Sequence, residues 1–204
     1  MEVDPPVKPA TTTPRACDPR PLAVFAQALI LLQAAGELVL GLTSDGGSEL
    51  YREVGRWTLP LFAGGVVGFL GWIRRCRLNA EILSSTTHTY GRGRALGVWF
   101  IPVLMWWAPR RVVLDIRRAG GSAGTPWLIN TWWTAWLAKS VGVPLCMAID
   151  LEGNPNNPYV TVVHVVACVL AILVIQQVTT VQVSQIRVGG TAGLLAATVP
   201  RLTR

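Results

Sequence analysis

Three ionisable side chains, Glu37, Lys139 and His164, lie inside long apolar runs of this sequence. A charge in a hydrocarbon surround costs a few kcal/mol or more, so such groups pair with one another or relay protons or ions. Counted at 1.5 Å per residue from the ends of their runs, Glu37 and His164 lie about 7–8 Å deep and Lys139 about 15 Å deep. Gln33 is one helical turn from Glu37, on the same face and near the depth of Lys139. The pattern predicts a polar ladder, with Glu37 beside His164 in an outer layer and Gln33 beside Lys139 in an inner one. A direct Glu37–Lys139 pair is the alternative. The ladder either conducts ions or protons, or neutralises itself and sets helix register; a third outcome is that one member reaches out to the interface.

Other chemistry is hard to find. The glycine-rich stretch GRGRALG (Gly91–Gly97) lacks dinucleotide-loop spacing and follows no strand pattern, and there is no Walker loop, HExxH or GxSxG. His164 and Cys168 are four residues apart without a second ligand pair, and no CxxC occurs, so neither a metal site nor a disulfide framework is read. Trp132, Trp133 and Trp136 form a stripe at helical spacing that either packs or lines a ligand pocket. Asn79, Glu81 and Asp115, near a basic surface, form either a small site or, more simply, solvated loop charges; Glu81, His88 or Asp115 would carry a lipid-directed enzyme if there were one. The expectation is a chain that is not an enzyme and uses no cofactor.

The elements that position these residues follow from charge segregation. The chain is 51% hydrophobic and only 14% charged, and its charges gather between the apolar runs. A soluble core would mix the two at helix or strand periodicity. An all-α membrane bundle of four crossing helices is predicted, with spans near 22–42, 57–73, 127–149 and 159–180. The transmembrane domain then covers 22–188, between a Pro/Thr-rich disordered tail at 1–21 and a loose tail at 189–204, which Gly189 and Gly190 would begin. Gly64, Gly68 and Gly71 give the second span a small face for close packing of a neighbouring helix. Residues 43–56 and 74–95 read as polar loops.

Residues 96–108 are apolar but too short to cross, and basic residues flank them on both sides. Together with 109–118 they predict a re-entrant or interfacial element on the cytoplasmic side. Pro109 would open a helix in which Val112, Val113 and Ile116 face one way and Arg111, Asp115 and Arg118 another. The net charge of +7 is carried mainly by arginines at the ends of the spans. Nucleic-acid binders gather such charge on a soluble face, so nucleic acid is not the expected partner. Arg74, Arg75, Arg77, Arg110, Arg111, Arg117 and Arg118 read as cytoplasmic anchors, whereas 43–56 and 150–158 are acidic or balanced. Four crossings then leave both termini in the cytoplasm of a cell-membrane protein. Its expected partners are membrane lipids and either another membrane protein or a second copy of itself.

Several of these residues also occur together in a known family. Arg74-Arg75-Cys76-Arg77-Leu78-Asn79-Ala80-Glu81 precedes Trp99-Phe100-Ile101-Pro102-Val103 and Pro109; Val112, Val113, Asp115, Ile116, Arg118-Ala119, Trp132-Trp133 and Trp136-Leu137 follow. In order and spacing the chain resembles, over roughly 57–185, the actinobacterial membrane proteins catalogued as domain of unknown function 4328. Met105 and Arg117 depart from it, standing where the family pattern has Asn and Trp. The resemblance implies a multi-span membrane protein without assigned chemistry and carries over no catalytic or binding residues. Two functions follow: a non-enzymatic structural, accessory or sensing component that packs against a membrane protein or lipid, or a small transporter or ion conduit using Glu37, Lys139 and His164.

Overall fold

A computed structural model describes residues 16–43, 48–83, 97, 99, 101, 104–121, 125–149 and 158–198. Helix α1 spans Arg20–Leu42. Asp18 Oδ1 accepts the Arg20 N–H at 2.9 Å, and Pro21 suits the first turn because no partner is needed there for its missing N–H. Ala23, Ala26, Gln33 and Ala34 are buried, while Val24, Phe25, Leu31 and Leu32 lie on the outer surface. A helix apolar on its outward face as well as its inward one suits lipid.

Helix α2 spans Glu49–Leu83, longer at both ends than the predicted span. The Ser48 hydroxyl accepts the Tyr51 N–H at 3.1 Å and caps its start. Arg52 and Arg56 pair one turn back with Glu49 and Glu53 at 3.1 and 3.2 Å, so the residues expected to form a polar loop extend the helix. At the other end Arg77 meets Glu81 at 3.6 Å, again along the helix.

A 3-10 turn at Leu104–Trp106 leads into α3, Ala108–Ala119, with Pro109 in its first turn. Val112, Val113, Leu114 and Ile116 are buried against the other helices, and Arg111 and Arg118 point outward. The amphipathic pattern read at 109–118 is thus a helix docked on the bundle. Its end is tight: a Cβ on Gly120 would lie 2.6 Å from Val181 Cγ1, and Gly121 has φ +73°, a conformation that suits glycine.

The expected span at 127–149 is helical throughout, but not as one α-helix. Trp127–Leu137 (α4) passes through a π turn at Ala138–Gly142 into Val143–Ile149 (α5). Pro144 stands just beyond the π turn, a place that suits a wider turn. In a regular helix its ring would strike the Ser140 carbonyl and leave that oxygen unbonded. The wider turn, closed by the Val143 N–H on the Ala138 carbonyl, displaces that clash.

Helix α6 spans Pro158–Thr198 and continues through Gly189 and Gly190, where the sequence predicted its end and a loose tail. Each glycine costs only about 1 kcal/mol relative to alanine in a helix, and good helix formers follow. Residues 44–47 of the expected polar loop, His88, Pro102, the Cys146 side chain, residues 150–157 of the acidic stretch, and residues 1–15 and 199–204 lie outside the described residues.

Contacts define the helix directions. Gly71, Gly68 and Gly64 of α2 meet Leu22, Phe25 and Leu29 of α1 in turn, so α1 and α2 are antiparallel. Glu37 and Gln27 of α1 meet His164 and Ile172 of α6, also antiparallel. Gly68 sets the closeness of the first pair: its Cβ position is 3.3 Å from the Ala26 Cα. The glycine face is therefore filled by α1 of the same chain. The buried core lies toward the arginine-rich end, where Trp72, Ile73, Val112, Ile116, Ile129 and Ile175 pack together.

Among the described residues, three helices are long and apolar enough to cross a membrane: α1, α2 and the Pro158–Gly189 part of α6. The chain is an all-helical protein on that plan.

Candidate functional site

At one end of the bundle, α1 and α6 bring Glu37 and His164 together. Glu37 Oε2 lies 3.5 Å from His164 Nδ1, with both side chains less than a fifth exposed. This is ion-pair distance without hydrogen-bond geometry, since Nδ1 has no hydrogen-bond partner. One turn further out, Gly41 allows the Thr161 side chain to press directly on α1.

Deeper in, α1, α2, α4, the π turn and α6 enclose a cavity of about 310 Å³. Its aromatic wall comes from Phe62 and Phe69 of α2, Trp132 and Trp136 of α4, and Trp99. Ala167, Cys168 and Ala171 of α6 floor it with small side chains. Gln33, Lys139 and Ser140 are its polar members. Gln33 and Lys139 thus share one space, but they form no hydrogen bond with each other, and no Glu37–Lys139 ion pair forms. The Lys139 Nζ instead lies 5.7 Å from the Phe62 ring centroid, within cation–π range. The π turn before Pro144 is the element that carries Lys139 and Ser140 to this wall.

The aromatic rings bridge α2 and α4 by packing on one another. Phe69 and Trp132 centroids are 5.8 Å apart, and Phe69 meets Trp99 edge-on at 5.3 Å. Trp133 stacks on Trp136 at 4.6 Å and 12° and donates its indole N–H to the Trp106 carbonyl at 3.1 Å. The tryptophan stripe therefore divides its work: Trp133 is packing, while Trp132 and Trp136 both pack and line the cavity. Trp99 Nε1 is buried without a hydrogen-bond acceptor, and its ring stands nearly perpendicular to Trp133 and Trp136, an arrangement favoured by ring quadrupoles. The cavity wall reaches the outside of the bundle at Phe62, which is 46% exposed, and at Ser140, which is also exposed.

At the opposite end from Glu37, a second polar group closes the bundle. Asn79 Nδ2 donates to the Cys17 carbonyl at 2.7 Å and to Gln182 Oε1 at 3.3 Å, and Asn79 Oδ1 accepts the Cys17 N–H at 3.0 Å. Gln182 Nε2 donates to the Cys76 carbonyl at 2.7 Å, and Trp72 Nε1 donates to Thr179 Oγ1 at 3.0 Å. Asn79 and Gln182 are each 1% exposed, so the solvated reading of Asn79 is corrected. The signal was spacing: Trp72, Cys76 and Asn79 recur at four and three residues on the face that begins with Gly65 and Gly68.

The arginines read as anchors also divide. Arg74, Arg111 and Arg118 are exposed, and Arg75 and Arg110 partly so, Arg110 donating its Nε–H to Asn130 Oδ1 at 2.9 Å. Arg77 and Arg117 are 4% and 6% exposed, inside the protein. Arg117 reaches the Thr125 carbonyl at 3.4 Å, in the place where the family resemblance puts a tryptophan. Glu81 and Asp115 are partly buried on ion pairs with Arg77 and Arg118.

The fold and cavity define an all-helical protein with membrane-length apolar helices around an aromatic interior. The family described as "Domain of unknown function (DUF4328)" matches residues 38–181, well over half the chain, and the protein belongs to that family. Neither a curated protein nor a solved structure matches it.

Proposed function

We propose that this protein crosses the cell membrane four times with both termini in the cytoplasm. In this reading it is a non-enzymatic accessory or sensing component that holds a molecule drawn from the bilayer. The observation that carries it is the aromatic cavity, which reaches the bundle surface at Phe62 and Ser140 within the span region. At about 310 Å³ it falls at the small end of ligand-sized sites, mostly apolar with a few polar groups, as such sites are.

Helix directions support the topology. α1 opposes α2 and α6, so a 127–149 segment running antiparallel to α6 completes four alternating passes. The exposed arginines Arg74, Arg111 and Arg118 then share one end, which the positive-inside preference assigns to the cytoplasm. A cysteine placed at Asn154 is expected to react with an impermeant thiol reagent on intact cells, and exposed Cys17 only after permeabilisation. The reverse pattern would remove the topology.

The glycine face does not serve as the docking surface for another membrane protein, because α1 fills it. Binding is tested with purified protein in a non-ionic detergent, by quenching of tryptophan emission with a brominated acyl methyl ester. Saturable quenching that disappears in Ala171→Phe, which fills the cavity floor, supports the reading. Quenching unchanged by that variant refutes it. The conduit reading rests on the Glu37–His164 approach at 3.5 Å. Proton or cation flux in proteoliposomes that falls in both Glu37→Gln and Lys139→Met would favour it instead.

A further inference from the structure

We propose that the cavity selects an apolar carboxylic acid, bound as its carboxylate against Lys139. This rests on the cavity being a binding site, as argued above. The reasoning starts from charge. Glu37 and His164 lie at ion-pair distance from each other, but among the described residues no carboxylate forms an ion pair with Lys139. The Phe62 ring lies 5.7 Å away and attracts a cation without neutralising it, while Glu37 acts on the ammonium only from beyond ion-pair distance. A half-buried ammonium without a contact ion pair on a mostly apolar wall is costly, and a bound anion lowers that cost by giving it a charge-assisted partner.

The anion's class follows from place and stoichiometry. Lys139 is near the middle of its segment, about 15 Å from the 149 end at 1.5 Å per residue. A phosphate headgroup stays charged and hydrated and resists being drawn that deep. A carboxylic acid travels neutral and ionises beside an amine, and its single charge matches a single ammonium. The Ser140 hydroxyl and Gln33 amide line the same space and supply further donors for the carboxylate's second oxygen. The remaining walls, with Trp132, Trp136 and Phe69, suit a hydrocarbon or ring body. Entry past Phe62 and Ser140 is sideways, from lipid.

The test is displacement of a fluorescent polyene fatty acid, excited through the tryptophans, from the detergent-solubilised protein at pH 8. Oleate is expected to displace it at a concentration about tenfold below that of methyl oleate or oleyl alcohol, the advantage of a charge-assisted bond over a neutral one. Lys139→Arg should keep the preference and Lys139→Met should lose it while still binding the neutral analogues. Equal displacement by acid and ester on the unaltered protein overturns the proposal without needing a variant, and leaves the binding site itself standing. A preference that survives in Lys139→Met overturns it too, as does tighter displacement by a monoacyl phosphate. Absence of any saturable probe signal would sink both this inference and the binding reading beneath it.

Discussion

Replacing Asn79 with alanine should loosen the arginine-rich end of the bundle by a measurable and calculable amount. The side chain makes three hydrogen bonds, at 2.7, 3.0 and 3.3 Å, tying Cys17, the helix α2 and Gln182 of α6 together. Each bond contributes about 0.5–1.5 kcal/mol net, but the loss is not simply threefold. Cys17 is exposed, so its backbone groups recover water when the amide is removed. Gln182 is 1% exposed, and its Oε1 is left facing a hole. Two recovered bonds and one orphaned acceptor together suggest a cost of about 2–3 kcal/mol. For a chain of this size that corresponds to a fall in melting temperature of roughly 4–12 °C. The assay is a thermal unfolding scan in detergent. Asn130→Ala, which removes one bond to the partly exposed Arg110, serves as the comparison and should cost under about 1.5 kcal/mol. A double-mutant cycle with Gln182→Leu should show coupling, since the second change removes the orphaned acceptor. A melting temperature within about 1 °C of the unaltered protein for Asn79→Ala would refute the reasoning, because it would mean that Asn79 is not buried and bonded as described.

Other perturbations give separate checks. Gly68→Leu should destabilise by about 1–3 kcal/mol in the same scan, because a side chain there meets the Ala26 backbone, whereas Gly55→Ala, with nothing within 4 Å, should be neutral or slightly stabilising. In native detergent-solubilised protein, Cys17 should react with a maleimide within minutes while buried Cys76 and Cys168 stay protected until unfolding, read by intact mass. Trp133→Phe should keep most of the stack on Trp136 but lose the bond to the Trp106 carbonyl, costing about 1–2 kcal/mol in melting experiments. Pro144→Ala should allow the π turn to relax toward a regular helix, turning Lys139 away from the cavity, seen as reduced acid preference without loss of fold.

The sequence alone determined the helical, apolar character of the chain, because that character is a local property: a run of lipid-compatible residues long enough to satisfy its own backbone can only be a helix. It determined the family through the order of Arg, Asn, Trp and Pro residues, and it placed Glu37 and His164 at matching depth through simple counting of helical rise. It also predicted the amphipathic face of Val112, Val113 and Ile116. Other features needed the tertiary structure, because they depend on which face of one helix meets another. Depth constrains a pair in one dimension only, so Gln33 and Lys139 came to share a cavity without bonding, and Phe62 took the place beside the amine. Polarity suggested that Asn79, Arg77 and Arg117 were surface residues. Packing buries them: Gln182 of α6 and the Cys17 backbone hold Asn79, Glu81 meets Arg77 along α2, and the Thr125 carbonyl receives Arg117, partners that local composition cannot reveal. The glycine face showed that something would pack closely on α2, but only the folded chain decided that α1 is what does.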